Sequence, residues 1–188
     1  MIKQTKFRTG VLVLMIVLAA LSRLIPHPDN VTPVGAMALF GGAYFSRKYL
    51  AFIVPLLAMW LSDLVLNNTL YAHYYDGFVW MGNIWVYTAI LLIGLIGMTL
   101  LKKVKLKNVV IASVAGSVLF FLLTNFGTWA GPYSMFPKTS GGLLSTYVAG
   151  LPFFRAGLLG DLVYCGVLFG GFEWAKSNWS ALRSPVHA

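Results

Sequence analysis

Apolar residues come in long runs along this chain, and polar residues fall between the runs. A membrane-crossing helix needs about 20 mostly apolar residues. Six stretches meet or approach that length, at residues 9–25, 33–46, 49–67, 83–101, 108–126 and 155–175. The first stops at Pro26-His27-Pro28, because proline cannot continue a helix and biases the preceding residue toward extended angles. The second, containing Gly35-Ala-Met-Ala-Leu-Phe-Gly-Gly-Ala43, is short and needs a tilt or a protein-buried position. The third carries Pro55, a kink signal. Two connections are long and aromatic, 67–82 and 127–154; the second half of the latter is apolar enough to lie at an interface or re-enter as a short helix.

Composition agrees with this pattern. Of 188 residues, 59% are hydrophobic and 10% charged, with a mean hydropathy of +0.78, whereas soluble domains are roughly a quarter charged. A soluble enzyme, a disordered chain and a disulfide scaffold are excluded. The single cysteine, Cys165, excludes an internal disulfide and a cysteine-cluster metal site. The expectation is one all-α transmembrane domain over 1–188, a polytopic membrane protein of six helices. The basic N-terminus and first apolar run resemble the start of a signal peptide, but Arg23-Leu-Ile-Pro-His is no small-residue cleavage site, so an uncleaved first helix is expected.

The net charge of +9 raises nucleic acid as a partner, but the basic residues punctuate apolar runs instead of forming a patch. Eleven of the fourteen lysines and arginines fall on one side of a six-span chain, leaving Arg23, Lys138 and Arg155 on the other. The positive-inside rule then puts both termini in the cytoplasm, and no nucleic-acid role is needed. Apolar helices point to the inner (cytoplasmic) membrane of a cell, with the chain multi-pass and in contact with membrane lipid.

Charges within spans are costly and usually mark function. Asp63 and Asp161 lie within helices, near the outer side, as do Asn83, Asn125, Arg23 and Arg155 at helix ends. Two readings stand: an outward cavity holding a ligand, or acids that cap helices or pair with Arg23 and Arg155 to tie the bundle together. An ion path through the full depth would want polar residues that the inner part lacks. Leu61-Ser62-Asp63-Leu64-Val65 and Leu159-Gly160-Asp161-Leu162-Val163 differ at one position, but their flanks do not extend the match. Small residues are also organised: Ala38-x3-Gly42, Ala112-x3-Gly116, Ser113-x3-Ser117 and Gly166-x3-Gly170 permit close helix approach. Helix two is so rich in them that Gly35, Ala38 and Gly42 are expected on a face docking another membrane protein.

Dinucleotide, phosphate-loop, zinc-protease and nucleophile-elbow motifs are absent. ATP-driven work would need a partner. Of the histidines, His187 is near the terminus, and His27 sits in the rigid Pro26-His27-Pro28 segment. His73 stands among Tyr71, Tyr74, Tyr75 and Trp80 and is a candidate metal ligand. Aromatic walls suit a flat, largely apolar ligand, so Tyr74, Trp80 and Trp129 join Asp63, His73, Asn83, Asn125, Arg155 and Asp161 as candidate ligand-binding residues. No catalytic pair assembles, and Cys165 reads as a small buried hydrophobe.

The helix-two stretch Gly35–Ala43, the Asp63 region, Thr124-Asn125-Phe126-Gly127 and Leu159-Gly160-Asp161-Leu162 together resemble the substrate-binding S components of energy-coupling-factor (ECF) vitamin transporters. The stretch from Arg23 to Gly42 also looks like a bacterial family of transport-type proteins of unassigned role. The resemblance implies an S-component-like bundle with both ends cytoplasmic, an outward ligand cavity capped by loops, and docking through the early helices to an ECF-type ATPase and coupling module. It implies a binding and uptake protein for a vitamin-like micronutrient, not an enzyme, with no resident cofactor. The solitary cobalamin type is the nearest relative by architecture, which makes cobalamin the first ligand to consider. That type contacts cobalt with a loop cysteine; this chain carries His73 and Trp80 in the corresponding loop, and His73 would take the axial position. An intramembrane enzyme acting on a lipid or isoprenoid through Asp63 and Asp161 is the alternative, and an assembly or scaffold protein a third class.

Overall fold

A computed structural model describes residues 2–132 and 134–183, the side chains of Ile2 and Lys3 excepted; His187 lies outside them. Six α-helices form: α1 Ile2–Ser22, α2 Val34–Tyr44, α3 Lys48–Asn68, α4 Ile84–Leu100, α5 Leu106–Ala130 and α6 Ser140–Asn178. Short 3-10 turns occupy Ala72–Tyr74 and Ser180–Leu182, and no strand occurs among the described residues. Four helices, α1, α3, α5 and α6, are long and apolar enough to cross a membrane. The helix exteriors carry open apolar side chains such as Leu14, Leu18, Ile53, Leu57 and Val167. A contiguous greasy exterior of this kind marks a lipid-facing surface.

Helix α2 is the axis of the bundle. It touches all five other helices and is buried along almost its whole length. A helix that is apolar all round belongs inside. With 11 residues it rises only about 16 Å, short of a bilayer core, so burial in protein replaces a span. The close approach explains its glycines. A Cβ on Gly42 would meet Gly97 Cα at 3.1 Å and the Gly94 carbonyl oxygen, and a Cβ on Gly97 would meet Leu39 Cα at 3.0 Å. The backbones of α2 and α4 are in contact. This corrects the expectation of a docking face: Gly35, Ala38 and Gly42 are all buried against this chain's own helices.

The largest departure from the sequence pattern is at α6, which starts at Ser140 and runs for 39 residues through Pro152. The connection expected over 127–154 shrinks to 131–139. Thr139 caps the new start, its Oγ1 accepting from the Gly142 N–H at 3.2 Å. At the other side of the turn, the Lys138 ammonium donates to the Gly131 carbonyl at 2.6 Å and to that of Trp129, satisfying the end of α5. The resulting α5–α6 hairpin is held by aromatic pairs, Phe121 with Tyr147 at 5.6 Å and with Phe154 at 5.0 Å.

Polar groups gather at both ends. At the end holding the N-terminus, Glu173 accepts from the Tyr44 hydroxyl at 2.6 Å and from Lys176 at 2.6 Å. Below it, Phe40, Tyr44, Phe169 and Phe172 form an aromatic core. The opposite end holds Arg23, Asp63, Ser117, Asn125 and Asp161.

Candidate functional site

At that opposite end lies a partly open cavity of 260 Å³ between the α1–α2 connection and helices α4, α5 and α6. Its polar lining comes from Arg23, Asn30, Thr32, Ser117, Thr124, Asn125 and Asp161. The apolar part includes Phe120 and Phe121 of α5 and Phe153 and Phe154 of α6.

Two acid-centred clamps hold the α1–α2 connection over this cavity. In the first, the Arg23 guanidinium donates to Asp63 Oδ1 at 2.8 Å and to the Ser62 hydroxyl. The two side chains of this ion pair are only 10% and 11% exposed. The other carboxylate oxygen of Asp63 accepts from the Tyr87 hydroxyl at 2.9 Å. A Cβ on Gly82 would sit 2.8 Å from that oxygen, so only glycine lets the 69–83 connection pass there.

In the second clamp, Asp161 reaches from α6 to the first turn of α2. It accepts from the backbone N–H groups of Gly35 and Ala36 and from the Ser117 hydroxyl at 2.7 Å. The first N–H groups of a helix have no intrahelical partner, and the helix dipole favours a negative charge there. No side chain of α2's own N-cap, Pro33, supplies that partner; Asp161 does so from the far end of the sequence. Gly35 is required for the approach, because a Cβ would stand 2.5 Å and 2.7 Å from the two carboxylate oxygens. Gly160 similarly lets the connection lie against α6, with Val31 Cα and the Thr32 nitrogen at 3.0 Å from its would-be Cβ. Asn30 makes the turn with φ of 63°, a left-handed conformation that asparagine tolerates better than most residues.

The expected site residues separate into groups. Asn125 and Asp161 line the cavity, and Asp63 borders it through Arg23. Asn83 is the N-cap of α4, accepting from the Trp85 N–H at 2.9 Å. Trp129 braces the α5–α6 turn by donating to the Pro137 carbonyl at 3.0 Å. Arg155 is exposed and takes part in neither of the described ion pairs. His73, Tyr74 and Trp80 are exposed in the 69–83 connection, where the His73 ring lies 4.0 Å from that of Tyr74. Among the described residues, no group of three His, Cys, Asp or Glu could hold a metal ion. Both readings of the two acids thus meet in one place: they tie the bundle together, and in doing so they build a cavity wall.

Sequence reasoning missed Ser62, Tyr87, Ser117 and the phenylalanines. A signal was present in α5. Ser113, Ser117, Phe120, Thr124 and Asn125 follow a helical period and mark one face; reading the serines only as a packing motif hid it.

Over residues 3–182 the chain matches the family described as Family of unknown function (DUF6580). It belongs to that family. No curated protein and no solved structure matches this member of the DUF6580 family.

Proposed function

We propose that this protein is a multi-pass, N-in/C-in protein of the cytoplasmic membrane, with α2 returning the chain through the middle of a six-helix bundle, that binds a compact micronutrient-like molecule in an outward-facing cavity for uptake. The positive-inside rule supports the orientation, since eleven of fourteen basic residues cluster at the end holding the N-terminus. The cavity then opens toward the outside. The observation that carries the reading is the state of its charges. Arg23 is neutralised by Asp63, and Asp161 is engaged by the start of α2 and the Ser117 hydroxyl. What remains for a ligand is neutral: the amides of Asn30 and Asn125, the hydroxyls of Thr32 and Thr124, and phenyl rings. Such a surface suits a flat, uncharged ring system with a few hydrogen-bonding groups.

A volume of 260 Å³ favours a compact ligand over cobalamin, whose corrin ring and nucleotide tail need far more room. His73, the residue that would have met cobalt, is exposed outside the cavity lining. The engagement of both carboxylates favours binding over acid–base catalysis on a lipid or isoprenoid. An ATPase module in trans stays part of the proposal for energised uptake, and α2's burial directs it to another face.

Native mass spectrometry of the detergent-purified protein, followed by equilibrium binding of nicotinamide, pyridoxine and cobalamin, tests this reading. A compact ligand should bind the wild type and lose about tenfold in affinity in Asn125→Ala, the cost of one buried hydrogen bond. Binding should survive His73→Ala and Trp80→Ala. Cobalamin binding that ignores Asn125→Ala and vanishes in His73→Ala would reverse the assignment.

A further inference from the structure

At the opposite, lysine-rich end, a second hollow of 260 Å³ lies between the start of α5 and the second half of α6. We propose that it is a binding groove for one anionic phospholipid of the cytoplasmic leaflet, with an acyl chain in the groove and the headgroup on the lysines of the α4–α5 turn. This inference rests on the membrane placement above but not on the ligand of the outer cavity.

The groove walls are apolar: Val104, Leu106 and Val109 on one side, Leu162 and Phe169 on the other. A groove left empty in hydrocarbon forfeits its van der Waals contacts, and an acyl chain restores them. The volume is slender for a partner helix, which is about 10 Å across, and sufficient for part of one chain. Charge selects the headgroup. Val104 and Leu106 face the groove, and Lys102, Lys103 and Lys105 of the α4–α5 turn and Lys107 of the first turn of α5 flank them, all exposed. Tail site and headgroup site are therefore continuous. The acid lining the groove among the described residues, Glu173, is bound by Tyr44 and Lys176 and has Arg8 within electrostatic reach. The mouth thus carries a surplus of cations, each of which attracts anionic lipid.

The test is native mass spectrometry of the full chain released from nanodiscs holding equal amounts of phosphatidylglycerol and phosphatidylcholine with matched acyl chains. The wild type should retain phosphatidylglycerol over phosphatidylcholine by on the order of tenfold. Gly166 and Gly170 line the groove, and a Cβ on either meets nothing within 4 Å, so Gly166→Leu/Gly170→Leu fills the groove without disturbing the core. That variant should keep the wild-type melting temperature and lose the retained lipid. Lys105→Gln/Lys107→Gln leaves most inner cations in place to fix orientation; it should keep lipid retention and bring the preference near parity. Equal retention of the two lipids by the wild type would overturn the proposal. So would wild-type retention in the filled variant, or a filled variant that retains lipid but dissociates an oligomer, which would make the groove a contact between copies.

Discussion

Gly35→Ala tests the second clamp directly. The added methyl would overlap both oxygens of Asp161, at 2.5 Å and 2.7 Å, far inside van der Waals contact. Neither can yield cheaply: Gly35 is on the fully buried axis of the bundle, and Asp161 is 8% exposed. The expected result is expulsion of the carboxylate from the α2 terminus. Two backbone hydrogen bonds to a charged acceptor are lost, each worth about 1.5–3 kcal/mol, so destabilisation on the order of 4 kcal/mol is expected. For a chain of this length that corresponds to a fall of roughly 10 °C in melting temperature, read by fluorescence-detected size exclusion after heating in detergent. Asp161→Ala should lose a similar amount, because it leaves the same N–H groups unpaired. The decisive measurement is the double variant. Gly35→Ala harms the protein through Asp161, so the combined loss should stay near that of either single change, a coupling of about 4 kcal/mol. Strict additivity, or a Gly35→Ala protein as stable as the wild type, would refute the reasoning. Gly166→Ala is the control: nothing lies within 4 Å of its Cβ, and removing a helical glycine should leave stability unchanged or slightly raised.

Other outcomes follow from the same geometry. Arg23→Leu should lower stability by about 3–5 kcal/mol, the cost of stranding one buried charge, and Arg23→Leu with Asp63→Leu should recover much of it in the same heating assay. Tyr87→Phe, which removes one hydrogen bond from Asp63, should cost only about 1 kcal/mol. Gly42→Leu would force apart α2 and α4, whose backbones touch, and should abolish accumulation of folded protein on an immunoblot of membranes. Reporter fusions after Arg183 should be active in the cytoplasm and fusions within 134–138 outside; the reverse pattern would invert the topology.

The number of helices was legible because each long apolar run is interrupted by proline, lysine clusters or polar loops, and these govern helix ends locally. The length of α6 was not. Its first part, Ser140-Gly-Gly-Leu-Leu-Ser-Thr-Tyr-Val-Ala-Gly-Leu-Pro152, has the composition of a loop, and its helicity depends on pairing with α5 through Phe121, Tyr147 and the close approach of Asn125 to Gly150. Such tertiary support overrides propensity. At the site, the polarity of Asp63 and Asp161 was visible, but their partners were not: the N–H groups that Asp161 binds belong to backbone and carry no sequence signature. The aromatic loop misled for the opposite reason. Tyr74 and Trp80 look like a pocket lining in sequence, yet the connection folds on Asn68, which pairs with both backbone groups of Val79, and turns those rings outward.

The Asp161 clamp also bears on how the molecule is made. Helix α2 leaves the ribosome well before α6, yet the group that completes its first turn arrives on α6. Until then a segment too short to cross a bilayer carries unsatisfied donors in a greasy setting, so its definitive seating waits for α6. Chains released before Asp161 should leave α2 open to proteases or thiol reagents at introduced cysteines, and full-length chains should protect it.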